Sequence, residues 1–179
     1  MATLVLTVIG NDKSGLVDAL AEPIATHGGS WERSHMARVA GQCAGLIVVS
    51  VPDRQVTDLT SSFDALNAQG LLEVRIAIAS NNDKATEPLL MSLQLVGQDR
   101  PGIIREISAA LASRDVSFLE LETDTTSAPM SAEPLFHASA TLHIPPGLDE
   151  DGLRDALEDI ANEMMVDLRI GESSSTSAG

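Results

Sequence analysis

Aromatic residues are nearly missing from this 179-residue chain, which has no Tyr, one Trp (Trp31) and three Phe. Stacking platforms for bases and cages around quaternary cations need several rings on one surface, so neither organises this protein. Positive charge is also scarce. Against 26 Asp+Glu stand 11 Lys+Arg, giving a formal net charge of −15. Such a field repels phosphate backbones and anionic lipid, so no direct nucleic-acid and no membrane partner is expected. The single cysteine, Cys43, rules out an internal disulfide and a multi-thiolate metal site, and fits a reducing compartment. No apolar run approaches the roughly 20 residues that cross a bilayer. The opening MATLVLTVIGND lacks the basic region of a secretory signal, so a cytoplasmic location is expected. What the chain does have is a 44% hydrophobic composition, enough for one ordinary core or two small ones.

An internal repeat organises those residues. Residues 4–32 fall on residues 91–119 without a gap, at an offset of 87. Gly10, Asp12 and Gly15 land on Gly97, Asp99 and Gly102, and Lys13 lands on Arg100, so Gly-x-Asp-basic-x-Gly is written twice. Behind it Leu16, Val17, Leu20 and Ile24 land on Ile103, Ile104, Ile107 and Leu111, the spacing of one buried helical face. Each copy therefore specifies strand, tight loop, helix.

The remaining pattern completes two equivalent units. In the first, strands are predicted over 3–9, 30–39, 46–51 and 72–79, with a turn at Gly41 and Gln42; a second helix carries Val56, Leu59, Phe63 and Leu66 and stops at Gly70. In the second, strands are predicted over 89–96, 117–125, 135–144 and 166–170, and helices over 101–113 and 153–164. The order β-α-β-β-α-β makes an α+β protein of two ferredoxin-like domains, each an antiparallel four-stranded sheet with helices on one face. The expected boundaries are 1–80, a polar linker at 81–88, 89–171 and a disordered tail at 172–179. Pro23 lies inside the first helix and is expected to kink or shorten it; its counterpart is Ala110.

A strand-to-helix loop with a glycine at each end lets backbone N–H groups and the positive helix end converge on an anion, and a carboxylate would suit it. A phosphate loop would continue with Lys and Ser or Thr, whereas Leu16-Val17 and Ile103-Ile104 follow here. Asp12 and Asp99 have two readings: pairing with a ligand ammonium, or accepting N–H bonds from their own turn and helix start, the second being the one that turn chemistry favours. Pro101 fits a first helical position and Ser14 a cap at the matching place.

The repeated VIGNDKSGLV and LVGQDRPGII, each opening a β-α-β-β-α-β unit, resemble tandem ACT domains, small regulatory modules that bind amino acids. SHMARVAGQCAGLIVVSVP, ELETDTTSAPMSAEPLFHASATLHIP and LEDIANEMMVDLRI are similar to segments of the glycine cleavage system transcriptional repressor family. The resemblance covers everything but linker and tail. It implies a glycine- or serine-like ligand held between the loop and helix of one unit and a strand of its neighbour. Carried over residue by residue, the binding positions are Asn11, Asp12, Gly15 and Leu16, then Asp99, Gly102 and Ile103. Ser14 stands where a proline is common, and Cys43 where an aromatic residue is often found. The resemblance further implies regulation through a protein partner such as a transcriptional regulator, with no cofactor.

No catalytic residue is assigned. His27, His35, His137 and His143 are the only imidazoles; His137 and His143 share a strand face, but without a ligand set around them structural roles are expected rather than metal binding. Met164 and Met165 read as core filler, and Asp149, Glu150 and Asp151 as charges capping a helix. Ser14 has no neighbouring base or elbow motif, so a hydrolase is not supported. Two further readings stand beside the amino-acid sensor. One is a ligand-free interaction scaffold whose open sheet edges pair between units or in a homodimer. The other, ranked last, is an acylphosphatase-like enzyme or RNA reader on the same strand order; Asn11 and Arg100 lie in different copies, and surface aromatics are missing.

Overall fold

In a computed structural model, residues 1–11, 13–79, 89–127 and 133–172 are described. The chain divides into two compact units, Met1–Lys84 and Ala85–Gly179. The first contains β1 (Ala2–Asn11), α1 (Leu16–Thr26), β2 (Ser30–Val39), β3 (Gln42–Val51), α2 (Val56–Ala68) and β4 (Leu72–Ile78). The second contains β5 (Leu89–Gln98), α3 (Ile103–Ala112), β6 (Ser117–Ser127), β7 (Pro134–Ile144), α4 (Glu150–Met164) and β8 (Val166–Glu172). Both sheets are antiparallel, in the orders β2-β3-β1-β4 and β6-β7-β5-β8. Each unit is thus the expected four-stranded sheet packed with two helices. Among the described residues no helix is long and apolar enough to cross a membrane.

Strand alternation and helix period meet in one core per unit. Leu4, Leu6 and Val8 of β1 and Ile47, Val49 and Val51 of β3 pack with Leu20 and Ile24 of α1 and Leu59 and Phe63 of α2, all at most 3% exposed. The second core repeats this with Met91, Leu93 and Leu95, Leu142 and Ile144, Ile107 and Leu111, and Leu153 and Leu157. Because both helices of a unit share a core with one sheet face, the other face stays open.

Several details depart from the sequence reading. β3 begins at Gln42, not at 46, because Ala40 and Gly41 form the hairpin turn with φ of 49° and 78°. Two consecutive positive φ values match the twist of the flanking strands and leave no loop residue beyond them. Pro23 does not shorten α1, which has 11 residues against 10 in α3; His27 N–H bonds the Pro23 carbonyl at 3.1 Å, so the helix runs past the missing donor. α4 starts at Glu150, three residues early, with the Asp149 carboxylate accepting from Gly152 N–H at 3.1 Å. Met165 is not core filler: it takes a left-handed conformation at the end of α4 and is 64% exposed, while Met164 packs on the core. β8 extends through Glu172, so that residue belongs to a strand. The linker and the rest of the tail lie outside the described residues.

The outer edges of two strands are covered by helix side chains, which supply the hydrogen bonds a further strand would have made. Asn67 at the end of α2 donates to the Val74 carbonyl at 2.9 Å and accepts from its N–H at 2.7 Å, closing part of the β4 edge. Arg154 of α4 donates to the Ile170 carbonyl on β8 at 2.8 Å.

Candidate functional site

The two copies of the glycine motif separate into two jobs. Gly10 and Gly97 lie within β1 and β5, not in the loop, and the neighbouring chain crosses directly over them. A Cβ on Gly10 would stand 2.9 Å from the Leu71 carbonyl oxygen, and one on Gly97 would run into Val166. These glycines are required by packing. Gly15 and Gly102 are instead the N-caps of α1 and α3, with φ of 89° and 97°, and a Cβ there would meet nothing within 4 Å. Left-handed backbone favours glycine at both positions. Their carbonyls accept the first helical bonds, from Ala19 at 2.9 Å and Glu106 at 3.0 Å.

This geometry corrects two capping expectations. Ser14 and Pro101 each precede the N-cap glycine, outside the helix, and neither α1 nor α3 has a side-chain cap. Asp99 does not cap its helix either; its backbone N–H bonds the Pro134 carbonyl at 3.0 Å and its side chain is exposed. Asp12 lies outside the described residues. Among the described residues no side chain caps the first turn of α1, whose N–H groups at Leu16, Val17 and Asp18 have no intrahelical partners.

At the start of α1 a cleft of about 360 Å³ is lined by Gly15, Leu16, Val17, Lys13, Arg38 and Cys43, with Asp18 at its side. The hairpin supplies the facing wall: Arg38 on β2 is registered against Cys43 on β3, and Cys43 against Gly10 on β1. Two cations and a helix N-terminus therefore border one small cavity, an arrangement that favours a carboxylate. Leu16 is half-buried against the core and closes the apolar side. Asn11 is not part of this cleft. Its carboxamide accepts from Gln42 Nε2 at 2.9 Å, and it borders a separate cleft of about 500 Å³ with Asn67, Leu71 and Glu73.

The equivalent corner of the second unit is built differently. By the same register, Gly97 faces Phe136 and Phe136 faces Thr125, so Phe136 stands where Cys43 does and Thr125 where Arg38 does. Phe136 packs against the second core. Ile103, the counterpart of Leu16, is 3% exposed and belongs to that core, leaving only its backbone to face a ligand. Arg100 leans back on the Gln98 carboxamide at 3.5 Å. The expected residues Gly102, Ile103 and Asp99 thus share one corner, but without the arginine and the small side chain that open the first.

Sequence reasoning passed over Lys13 and Arg38 as site residues. The repeated basic position, Lys13 and Arg100, was the available signal for the first; Arg38 becomes visible only once the hairpin folds over the helix end. Histidine readings need no metal: His27 Nδ1 lies 2.7 Å from the Pro23 carbonyl, and His137 Nε2 lies 3.3 Å from Thr126 Oγ1. Among the described residues no group of three or more His, Cys, Asp or Glu is placed to hold a metal ion.

Comparison with known proteins agrees with this architecture. Residues 2–77 match the ACT domain family. The glycine cleavage system transcriptional repressor of Escherichia coli (strain K12) is 22% identical over 163 residues, 90% of this chain and 85% of that protein, and the Shigella flexneri protein of the same name gives the same figures. Among solved structures, an unknown protein from Galdieria sulphuraria superposes with a TM-score of 0.84 at 25% identity, covering 96% of this chain and 98% of that one. A candidate glycine cleavage system transcriptional repressor superposes at 0.70 with 16% identity, covering 95% and 96%, a likeness of fold. The chain has a tandem ACT-like fold, and ACT domains are typically regulatory, non-catalytic modules.

Proposed function

We propose that this ACT-domain-containing protein, a distant relative at low identity of the glycine cleavage system transcriptional repressors, binds a small glycine- or serine-like amino acid and thereby modulates a partner protein in the control of amino-acid metabolism or transcription. The observation that carries the reading is the cleft at the start of α1, which Lys13, Arg38 and the first helical turn line together. A ligand carboxylate sits among those donors, and Gly15 lets its oxygens approach the backbone closely. Asp18, in the first turn of α1 and in the lining of the cleft, supplies the countercharge for an ammonium group, together with Asp12 of the loop sequence. About 360 Å³ holds a metabolite of this size and little more.

Occupancy in this scheme belongs to the first unit; in the second, the corresponding Gly102, Ile103 and Asp99 serve as the structural counterpart. Binding alters partner affinity only through a difference in ligand affinity between two arrangements of the protein, and that coupling is reciprocal. A net charge of −15 suits action through a protein partner in the cytoplasm better than contact with DNA.

Isothermal titration of the full chain with glycine, serine and other small amino acids tests the proposal. The wild-type protein should bind one of them, and Cys43→Phe, which gives the first corner the side chain of the second, should fold normally and lose the heat. Silence of the wild type across the series, or wild-type affinity in folded Cys43→Phe, would overturn it.

A further inference from the structure

The two open sheet faces occupy equivalent places in the repeat yet carry opposite charge. Both edge strands, β2 and β6, have a bulge at the same point, between Trp31 and Arg33 and between Phe118 and Glu120. Beyond it Arg33 pairs with Val48 and His35 with Leu46, positions that alternate with buried Ile47 and Val49, so Arg33 and His35 lie on the open face. At the same offset of 87, the second unit has Glu120 and Glu122, followed by Asp124. Their partners Thr141, Ser139 and His137 alternate with buried Ala140 and Leu142, which puts all three carboxylates on the open face.

The surroundings differ in the same complementary way. The first face is apolar at its centre, with Ile9 and Leu46 46% and 52% exposed beside Val5 and Val48. Its other arginine, Arg75, is already paired with Glu73 at 2.7 Å, so Arg33 gives the face its positive character. The second face holds a depression of about 330 Å³ bordered by Glu122, Asp124, His137, Val96 and Gln94; Arg169 and Asp167 of β8, opposite Gln94 and Val96, share this face and balance in charge, so the β6 carboxylates set its sign.

We propose that the protein forms a two-fold dimer in which the open face of the first sheet in each copy docks on the open face of the second sheet in the other. The carboxylates of β6 receive Arg33, and the exposed side chains of β1 and β3 meet the centre of the opposing sheet. Each chain carries one face of each kind, so a two-fold axis makes the contact twice and leaves neither face open. Three strands of ten or eleven residues and one of seven, about 4.8 Å apart, present roughly 600 Å² per face, so the four faces of the dimer bury about 2,400 Å², the range of stable dimers. Repulsion between two acidic chains is screened beyond about 8 Å at physiological salt, whereas contact pairs at the interface are not.

Light scattering and sedimentation equilibrium on the full chain test this by charge exchange. The wild type should have twice the chain mass. Glu120→Arg/Glu122→Arg and Arg33→Glu/His35→Glu should each be monomeric, and their equimolar mixture should recover the dimer, because one contact is then reversed in sign and the other is native. If the reversals do not fold, as judged by circular dichroism, Glu120→Gln/Glu122→Gln carries the test, with dimerisation expected to weaken about tenfold or more. A monomeric wild type, a folded reversal variant that stays dimeric, a folded pair that does not associate on mixing, or a neutral variant with unchanged dimerisation would overturn the proposal.

Discussion

Substitution of the two motif glycines of the first unit should give opposite side-chain preferences. A methyl group on Gly10 would lie 2.9 Å from the Leu71 carbonyl oxygen and 3.0 Å from Leu72 Cβ, against 3.4–4 Å for ordinary contact. The entry to β4 must then retreat by about half an ångström while Gly10 stays in register with both Cys43 and Leu72. Overpacking of this kind costs about 1–3 kcal/mol, and a longer side chain costs more. Gly15 has open space around its Cβ position, so only its φ of 89° resists substitution. Alanine there costs about 1–2 kcal/mol in left-handed backbone, offset by roughly 0.4–1 kcal/mol from the stiffer unfolded chain. Asparagine tolerates that backbone better than alanine. Urea denaturation read by fluorescence reports on this unit, because Trp31 is the only tryptophan and packs on its core. At Gly10 asparagine should destabilise more than alanine; at Gly15 it should destabilise less. Each kcal/mol corresponds to about 4–8 °C in Tm for a unit of this size. Equal or reversed order at either position would refute the division of the motif into a packing glycine and a helix-start glycine.

Other expectations follow from single contacts. Asn67→Ala removes both bonds to Val74 on the β4 edge and should cost about 1–3 kcal/mol in the same assay; a neutral result would show that water replaces the side chain. Asp149→Ala should cost about 1 kcal/mol by removing the α4 cap, while Asp149→Asn should be nearly neutral since the amide oxygen can still accept from Gly152; equal loss in both would point to charge rather than the cap bond. The ammonium of Met1, 2.8 Å from Asp53, holds that carboxyl below its ordinary value through a hydrogen bond and charge attraction. A depressed folded-state pKa contributes stability above the unfolded value and loses it as pH falls through the folded value. Acetylation of the amine should return the Asp53 titration, followed by NMR, to the usual carboxylate range, and an unmoved titration would show that the pair does not form.

Alternation of apolar residues along β1 and β5 and the helical period after each glycine loop are local properties, and they made the repeat and the two cores legible. Residues 42–45 were not, because Gln, Cys, Ala and Gly have little strand preference of their own. They are strand because β1 and β2 bond them from both sides and the Ala40–Gly41 turn fixes the register. The apolar period starts α4 only at Leu153, while Asp149, Glu150 and Asp151 read as its capping charges; the Asp149 carboxylate accepting from the Gly152 N–H sets the start at Glu150. Gly10 and Gly15 look interchangeable in the motif, yet one is set by the crossing of β4 and the other by its own φ.

The amino-acid order alone determined two βαββαβ units, their cores and the paired loop corners, because strand alternation, helix period and turn chemistry act over a few residues. The sequence already shows Ser14 and Cys43 departing from the motif in the first copy; only the folded chain decided that a cavity remains at that corner. Whether a cavity remains at a helix start depends on which side chain the hairpin lays across it, and Cys43 and Phe136 reach those places through strand register with residues more than 30 positions away. The same long-range pairing turned equivalent edge-strand positions into a cationic face on one unit and an anionic face on the other.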